Sequence, residues 1–135
     1  MKTKFTFNEN TGITTCTIEV NQLKIKGIAR KHPEETAENR FAGEEIAYNR
    51  AIINLYKWII RNELKPQIKQ LNHIMTCYTM NRTLKEALKV PEVKIVYKEL
   101  KRREEEVEIF KDIIAAYQYN LSSYINSLNS LGQKK

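Results

Sequence analysis

Residues 91–132 read PEVKIVYKELKRREEEVEIFKDIIAAYQYNLSSYINSLNSLG, and the spacing of their apolar side chains decides the fold. Val93, Val96, Leu100, Val107, Phe110, Ile114, Tyr117, Leu121, Tyr124, Leu128 and Leu131 advance in helical steps, and only Arg103 interrupts them. Steps of three and four keep one stripe of a helix facing one partner. Pro91 suits the first turn, where its missing N–H costs nothing, and Gly132 suits the stop. A helix of this length spans roughly 60 Å at 1.5 Å per residue, more than one face of a small domain can cover. It calls for a second long helix and, over part of its length, for a second subunit.

Upstream the period changes from helical to alternating. Residues 3–9 read as a strand with Phe5 and Phe7 on one face and Lys4 and Thr6 on the other. Residues 8–12, Asn-Glu-Asn-Thr-Gly, carry turn chemistry. Ile13 to Val20 alternates again, Asn21-Gln22 makes a short turn, and Leu23 to Ala29 returns as a third strand. A polar loop from Arg30 to Asn39 leads to a helix starting at Ala42 or Gly43, with Glu44 and Glu45 in its first turn. That helix carries a broad apolar surface through Ile46, Ile53, Tyr56 and Ile60, to be ended or kinked by Pro66. Ile68, Leu71, Met75 and Tyr78 continue a second helix, and Thr83 with Glu86 has capping-box form before a short third one. The expected class is α+β: a small N-terminal antiparallel β-meander followed by long, coiled-coil-like α-helices. The chain forms a single domain over 1–135, with the meander over 1–32 and the helical part over 43–135.

Three prolines and four glycines in 135 residues agree with long regular elements. No apolar run reaches the ~18 residues of a membrane span, and the first residues enter the strand pattern without a signal-peptide core. Cys16 and Cys77 lack metal-ligand spacing, so two unpaired thiols of a cytoplasmic protein are expected. The net charge of +7 attracts anions. Its placement is uneven: Lys24, Lys26, Arg30, Lys31 and His32 crowd one strand and the following loop.

Catalysis has little to work with. His32 near Glu35, and His73, have no serine or cysteine partner legible in sequence, and no phosphate loop or paired-cysteine motif is present. No cofactor or metal is expected; Glu104, Glu105 and Glu106 point in different directions on a helix and suit pairing with Arg102 and Arg103. The stripe itself turns from aliphatic to aromatic at Phe110, Tyr117 and Tyr124, with Asn120 on its flank. Such a face can stack a flat base and bond its edge, although tyrosines in a stripe also read as core. Asn81 and Arg82 at a helix break offer an amide and a guanidinium to phosphate or ribose, or make an ordinary turn. Lys26, Gly27, Arg30 and His32 combine close positive charge with a glycine that lets backbone approach a ligand. The plainer reading is a basic edge strand whose lysines deter aggregation.

Three stretches carry a family likeness: Gly-Ile-Thr-Thr-Cys-Thr-Ile-Glu-Val over 12–20, Lys-Gly-Ile-Ala-Arg-Lys-His-Pro over 26–33, and Gly-Glu-Glu-Ile-Ala-Tyr-Asn-Arg-Ala over 43–51. In these motifs the chain resembles the Thoeris anti-defence proteins of the first type, small phage proteins that act as sponges. The resemblance covers roughly residues 5 to 60 by motif and the remainder by architecture. It implies a non-catalytic protein that sequesters cyclic ADP-ribose signals, including glycocyclic isomers, in the cytoplasm of an infected bacterial host. Thoeris immunity, or that of CBASS, would thereby be inhibited. It also implies a homo-oligomer, a dimer that can group into hexamers, and a second site for cyclic oligonucleotides. Carried to this chain, the ADP-ribose pocket falls on the long helix at a subunit interface, with Phe110 and Asn120 as the matching residues and Tyr117 beside them. An arginine from the C-terminal region is also implied; none follows Arg103, so Arg82 or Arg103 takes that part. The second site falls on Lys26, Gly27, Arg30 and His32.

Two other classes stay open. Three strands followed by an alanine-containing helix also resemble the second half of a double-stranded-RNA-binding domain. That module places lysines at the start of its last helix, whereas Gly43, Glu44 and Glu45 stand here. A small basic nucleic-acid-binding phage protein is the alternative function, and a structural coiled-coil adaptor is the third.

Overall fold

The computed structural model describes residues 1–30 and 40–133. Strands β1 (Lys2–Asn8), β2 (Ile13–Val20) and β3 (Leu23–Arg30) pair antiparallel in the order β1-β2-β3. Helix α1 (Arg40–Ile59) passes through a π-helical turn at Ile60–Leu64 into α2 (Lys65–Thr79); α3 (Leu84–Ala87) and α4 (Pro91–Gln133) follow. The α+β class expected from the sequence is the one observed.

Local chemistry explains each junction. In the first hairpin the Asn8 Oδ1 accepts from the backbone N–H groups of Asn10 and Thr11 at 2.9 and 3.2 Å, and Gly12 turns the chain at φ 69°. The second hairpin needs left-handed backbone at both Asn21 (φ 47°) and Gln22 (φ 70°). Asparagine tolerates that conformation, but glutamine pays a steric penalty for it. Gln22→Gly should therefore stabilise the chain by about 1 kcal/mol, read as a higher urea midpoint at unchanged slope; a lower midpoint would contradict this turn.

Pro66 neither ends the helix nor simply kinks it. It lies in the first turn of α2, and its ring would collide with the carbonyl four residues back in a regular helix. The turn before it widens instead: the Lys65 N–H reaches the Ile60 carbonyl, five residues away. Thr83 caps α3, its hydroxyl accepting from the Glu86 N–H at 3.2 Å. Because α1 begins at Arg40, Glu44 and Glu45 fall beyond its first turn, contrary to expectation. At the other end α4 runs on through Gly132.

The chain divides into two compact units, one comprising Met1–Lys57 with Ile114–Lys135 and the other Trp58–Ile113. This differs from a simple sheet part and helical part, because residues of α1 and α4 belong with the sheet. In the first unit, Cys16, Ile18 and Ala29 of the sheet are buried with Ala47, Ala51 and Ile52 of α1, and Tyr117 of α4 packs against them. Gly27 marks the closest approach of α1 to the sheet: a Cβ there would overlap the Ala47 carbonyl oxygen and the Ala51 nitrogen. In the second unit, Met75, Ala87, Val93 and Leu100 form the core, flanked by Ile68, Leu71 and Val96.

Part of the α4 stripe is buried within a single chain. Val93, Leu100, Val107 and Ile114, seven residues apart, are all buried, and Val96, Phe110, Tyr117, Leu121, Tyr124 and Leu128 are half-buried. Four members of the stripe are thus buried within one chain, and six keep part of their surface in solvent. Among the described large apolar side chains of α4, Ile95, Ile109 and Tyr119 are exposed.

Both cysteines are free. Cys16 is fully buried, and burial pushes its thiol pKa up, so little thiolate forms; Cys77 is exposed. A disulfide reagent should label one thiol quickly in the native protein and the second only on unfolding. Two fast thiols would contradict the burial of Cys16.

Candidate functional site

The free edge of β3 is where polar chemistry converges. There the carbonyls of Lys26 and Ile28 are bonded by side chains of α1. The Arg50 Nη1 donates to the Ile28 carbonyl at 2.9 Å, and the Asn54 Nδ2 donates to the Lys26 carbonyl at 2.9 Å. Arg50, Asn54 and Lys57 stand at i, i+4 and i+7, so they share one side of α1. Gln118 and Leu121 of α4, three apart, complete the wall opposite.

Together with Ile28 and Ile53 these residues line an open groove of about 530 Å³. Its chemistry is sorted by side-chain type. Lys26, Arg50 and Lys57 bring three positive charges, and none forms an ion pair with a described carboxylate. Arg50 keeps guanidinium N–H groups beyond the one given to Ile28, while Asn54 keeps its amide oxygen; Gln118 adds a donor and an acceptor. Ile28, Ile53 and Leu121 supply apolar surface. Such a lining suits a phosphate-bearing ligand with a flat, partly apolar body. A second depression of about 680 Å³ lies at the first hairpin, lined by residues between Thr6 and Thr15 that include Glu9 and no cation.

The residues expected from the sequence are not gathered in this groove. Lys26 lines it. Arg30 is exposed at the end of β3, paired in register with Ile13. Gly27 is buried: the backbone approach it permits is that of helix α1, not of a ligand. His32 lies outside the described residues. On α4, Asn120 is exposed beside Leu121 but is not part of the lining, since each helical residue turns about 100° from the last. Tyr117 is drawn into the core of the first unit, its ring 6.5 Å from that of Tyr56, which corrects its placement in a stacking site.

Arg103 needs a similar correction. Its guanidinium sits 3.1 Å from Glu99 and 3.3 Å from Glu106, so carboxylates of its own helix already hold it. Arg102 pairs with the same two glutamates, and Lys101 reaches Glu104 at 3.8 Å. Of the triplet, Glu106 pairs with both arginines, as expected, whereas Glu104 pairs with Lys101. Among the described residues no group of three or more histidine, cysteine or carboxylate side chains could hold a metal ion. Phe110, half-buried, and Arg82, exposed in the turn after α2, belong to the second unit.

No family model, curated protein or solved structure matches the chain. Among the described residues no helix is long and apolar enough to cross a membrane.

Arg50, Asn54, Lys57 and Gln118 were not singled out by sequence reading. A signal was present: three polar residues at i, i+4 and i+7 on a helix whose other faces are mainly apolar.

Proposed function

We propose that the chain is a non-catalytic sponge that holds a phosphate-bearing cyclic nucleotide of the cyclic ADP-ribose class and withholds it from an immune effector. The supporting observation is the groove, where three cations without a described carboxylate partner flank two amides and an apolar floor. Phosphate oxygens would be held by Lys26, Arg50 and Lys57, and the amides of Asn54 and Gln118 would serve ribose or base. The likeness to Thoeris anti-defence proteins supplies the biological setting, namely inhibition of Thoeris or CBASS signalling in an infected bacterium. A cyclic oligonucleotide offers the same phosphate chemistry to Lys26 and is the second ligand class to test. Homo-oligomerisation is part of the proposal, with exposed Ile95 and Ile109, two heptads apart on α4, as the apolar surface available for it.

A sponge must return its ligand unchanged. Protein mixed with a purified cyclic ADP-ribose isomer, desalted and then heated, should release the intact isomer by mass spectrometry. Recovery of a linear product would mean an enzyme, and recovery of no nucleotide would end the proposal. Light scattering at micromolar concentration should give a multiple of the 15.9 kDa chain mass; a monomer would remove the oligomer from it.

A further inference from the structure

The outer face of the sheet carries a further concentration of charge, which meets the groove at Lys26. Register places Lys2, Glu19 and Lys24 in one row across the three strands and Lys4, Thr17 and Lys26 in the next. With strands about 4.8 Å apart and residues about 3.3 Å apart along them, the four lysines mark the corners of a patch of about 7 by 10 Å. Arg30 stands on the same face, beyond Thr15 and Ile28. All five cations are exposed, and none forms an ion pair with a described carboxylate, although Glu19 stands between two of them. The helical cations differ, since Lys101, Arg102, Arg103 and Lys111 are matched by glutamates one turn away.

Protection against edge pairing does not account for this patch on β3. In the middle of that edge Asn54 and Arg50 already bond the carbonyls of Lys26 and Ile28. A face kept only for solubility would also mix the two signs more evenly.

We propose that this face binds the phosphodiester backbone of duplex nucleic acid without reading its sequence. A duplex carries one negative charge per about 1.7 Å of axis, so a patch of this size meets several phosphates at once. Threonine hydroxyls at Thr6, Thr15 and Thr17, on the same face, supply neutral phosphate contacts. Phe5 and Phe7 pair with Cys16 and Thr14 and so lie on the covered face. The outer face therefore has no aromatic platform on which single-stranded bases could stack. Nor does it have the aromatic and leucine inserts that seat a protein in a lipid interface, its apolar members being Ile13 and Ile28.

The test is fluorescence anisotropy with labelled DNA and RNA duplexes over a salt series. Five phosphate contacts predict a slope of log affinity against log salt of about −4 to −5. Lys4→Gln with Lys24→Gln, both outside the groove, should make the slope shallower by about 2. Lys111→Gln, on α4, should leave it unchanged. Unaltered circular dichroism of the double variant separates loss of contacts from loss of fold. Three results would overturn the proposal: no duplex binding at about 50 mM salt, a slope indifferent to the double variant, or binding to phosphatidylserine vesicles and not to duplexes.

Discussion

Gly27→Ala should cost at least about 3 kcal/mol of stability, the upper range for overpacking a well-filled site. The added methyl has nowhere to go. Its nearest neighbours are the Ala47 carbonyl oxygen, the Ala51 nitrogen and, at 2.8 Å, the Ala51 Cα, all of them backbone atoms that no rotamer change can move. Helix α1 would have to lift from the sheet. That would loosen the contacts of Cys16, Ile18 and Ala29 with Ala47 and Ala51, and with them the bonds of Arg50 and Asn54 to β3. Urea unfolding followed by circular dichroism measures the loss. A cost below about 1 kcal/mol, the scale of an ordinary substitution, would mean that α1 does not seat on Gly27.

The second large effect concerns binding. Lys57→Glu should weaken the nucleotide at least tenfold, about 1.4 kcal/mol. Lys57 is the cleanest probe of the groove because it is exposed and, unlike Arg50 and Asn54, does not bond the edge of β3. Replacing its charge turns attraction for a phosphate into repulsion without disturbing the fold. The effect should fall as salt is raised, since solvent ions screen exposed charges beyond about 10 Å at 0.1 M. Asn120→Ala and Phe110→Ala separate this groove from the pocket that the family likeness implies. If those two variants weaken binding and Lys57→Glu does not, the ligand sits elsewhere on α4.

Much of the fold was legible because it rests on local patterns. Alternation over Ile13 to Val20 coincides with β2, where Thr14, Cys16 and Ile18 are buried and their neighbours are not. The seven-residue spacing of Val93, Leu100, Val107 and Ile114 marks the buried line of α4. What covers that line was not legible, since periodicity states that a stripe is buried and not whether the same chain buries it. Pro66 announced an irregularity, but a stop, a kink and a widened turn begin from the same missing N–H.

The site was harder still. Gly27 read as an opening for a ligand because a missing Cβ permits any close approach, and only the tertiary fold shows that a helix makes it. Arg103 and Tyr117 carried suitable groups, yet Glu99, Glu106 and Tyr56 already engage them. The groove draws on β3, α1 and α4 at once, and no window of sequence contains all three.

Calorimetric titration of a purified cyclic ADP-ribose isomer into the wild-type chain and Lys57→Glu tests the central claim most directly. Saturable binding to wild type, at least tenfold weaker in the variant, is the predicted result. Absence of binding heat with wild type would contradict the sponge, and equal affinity for the two proteins would contradict the groove as its site.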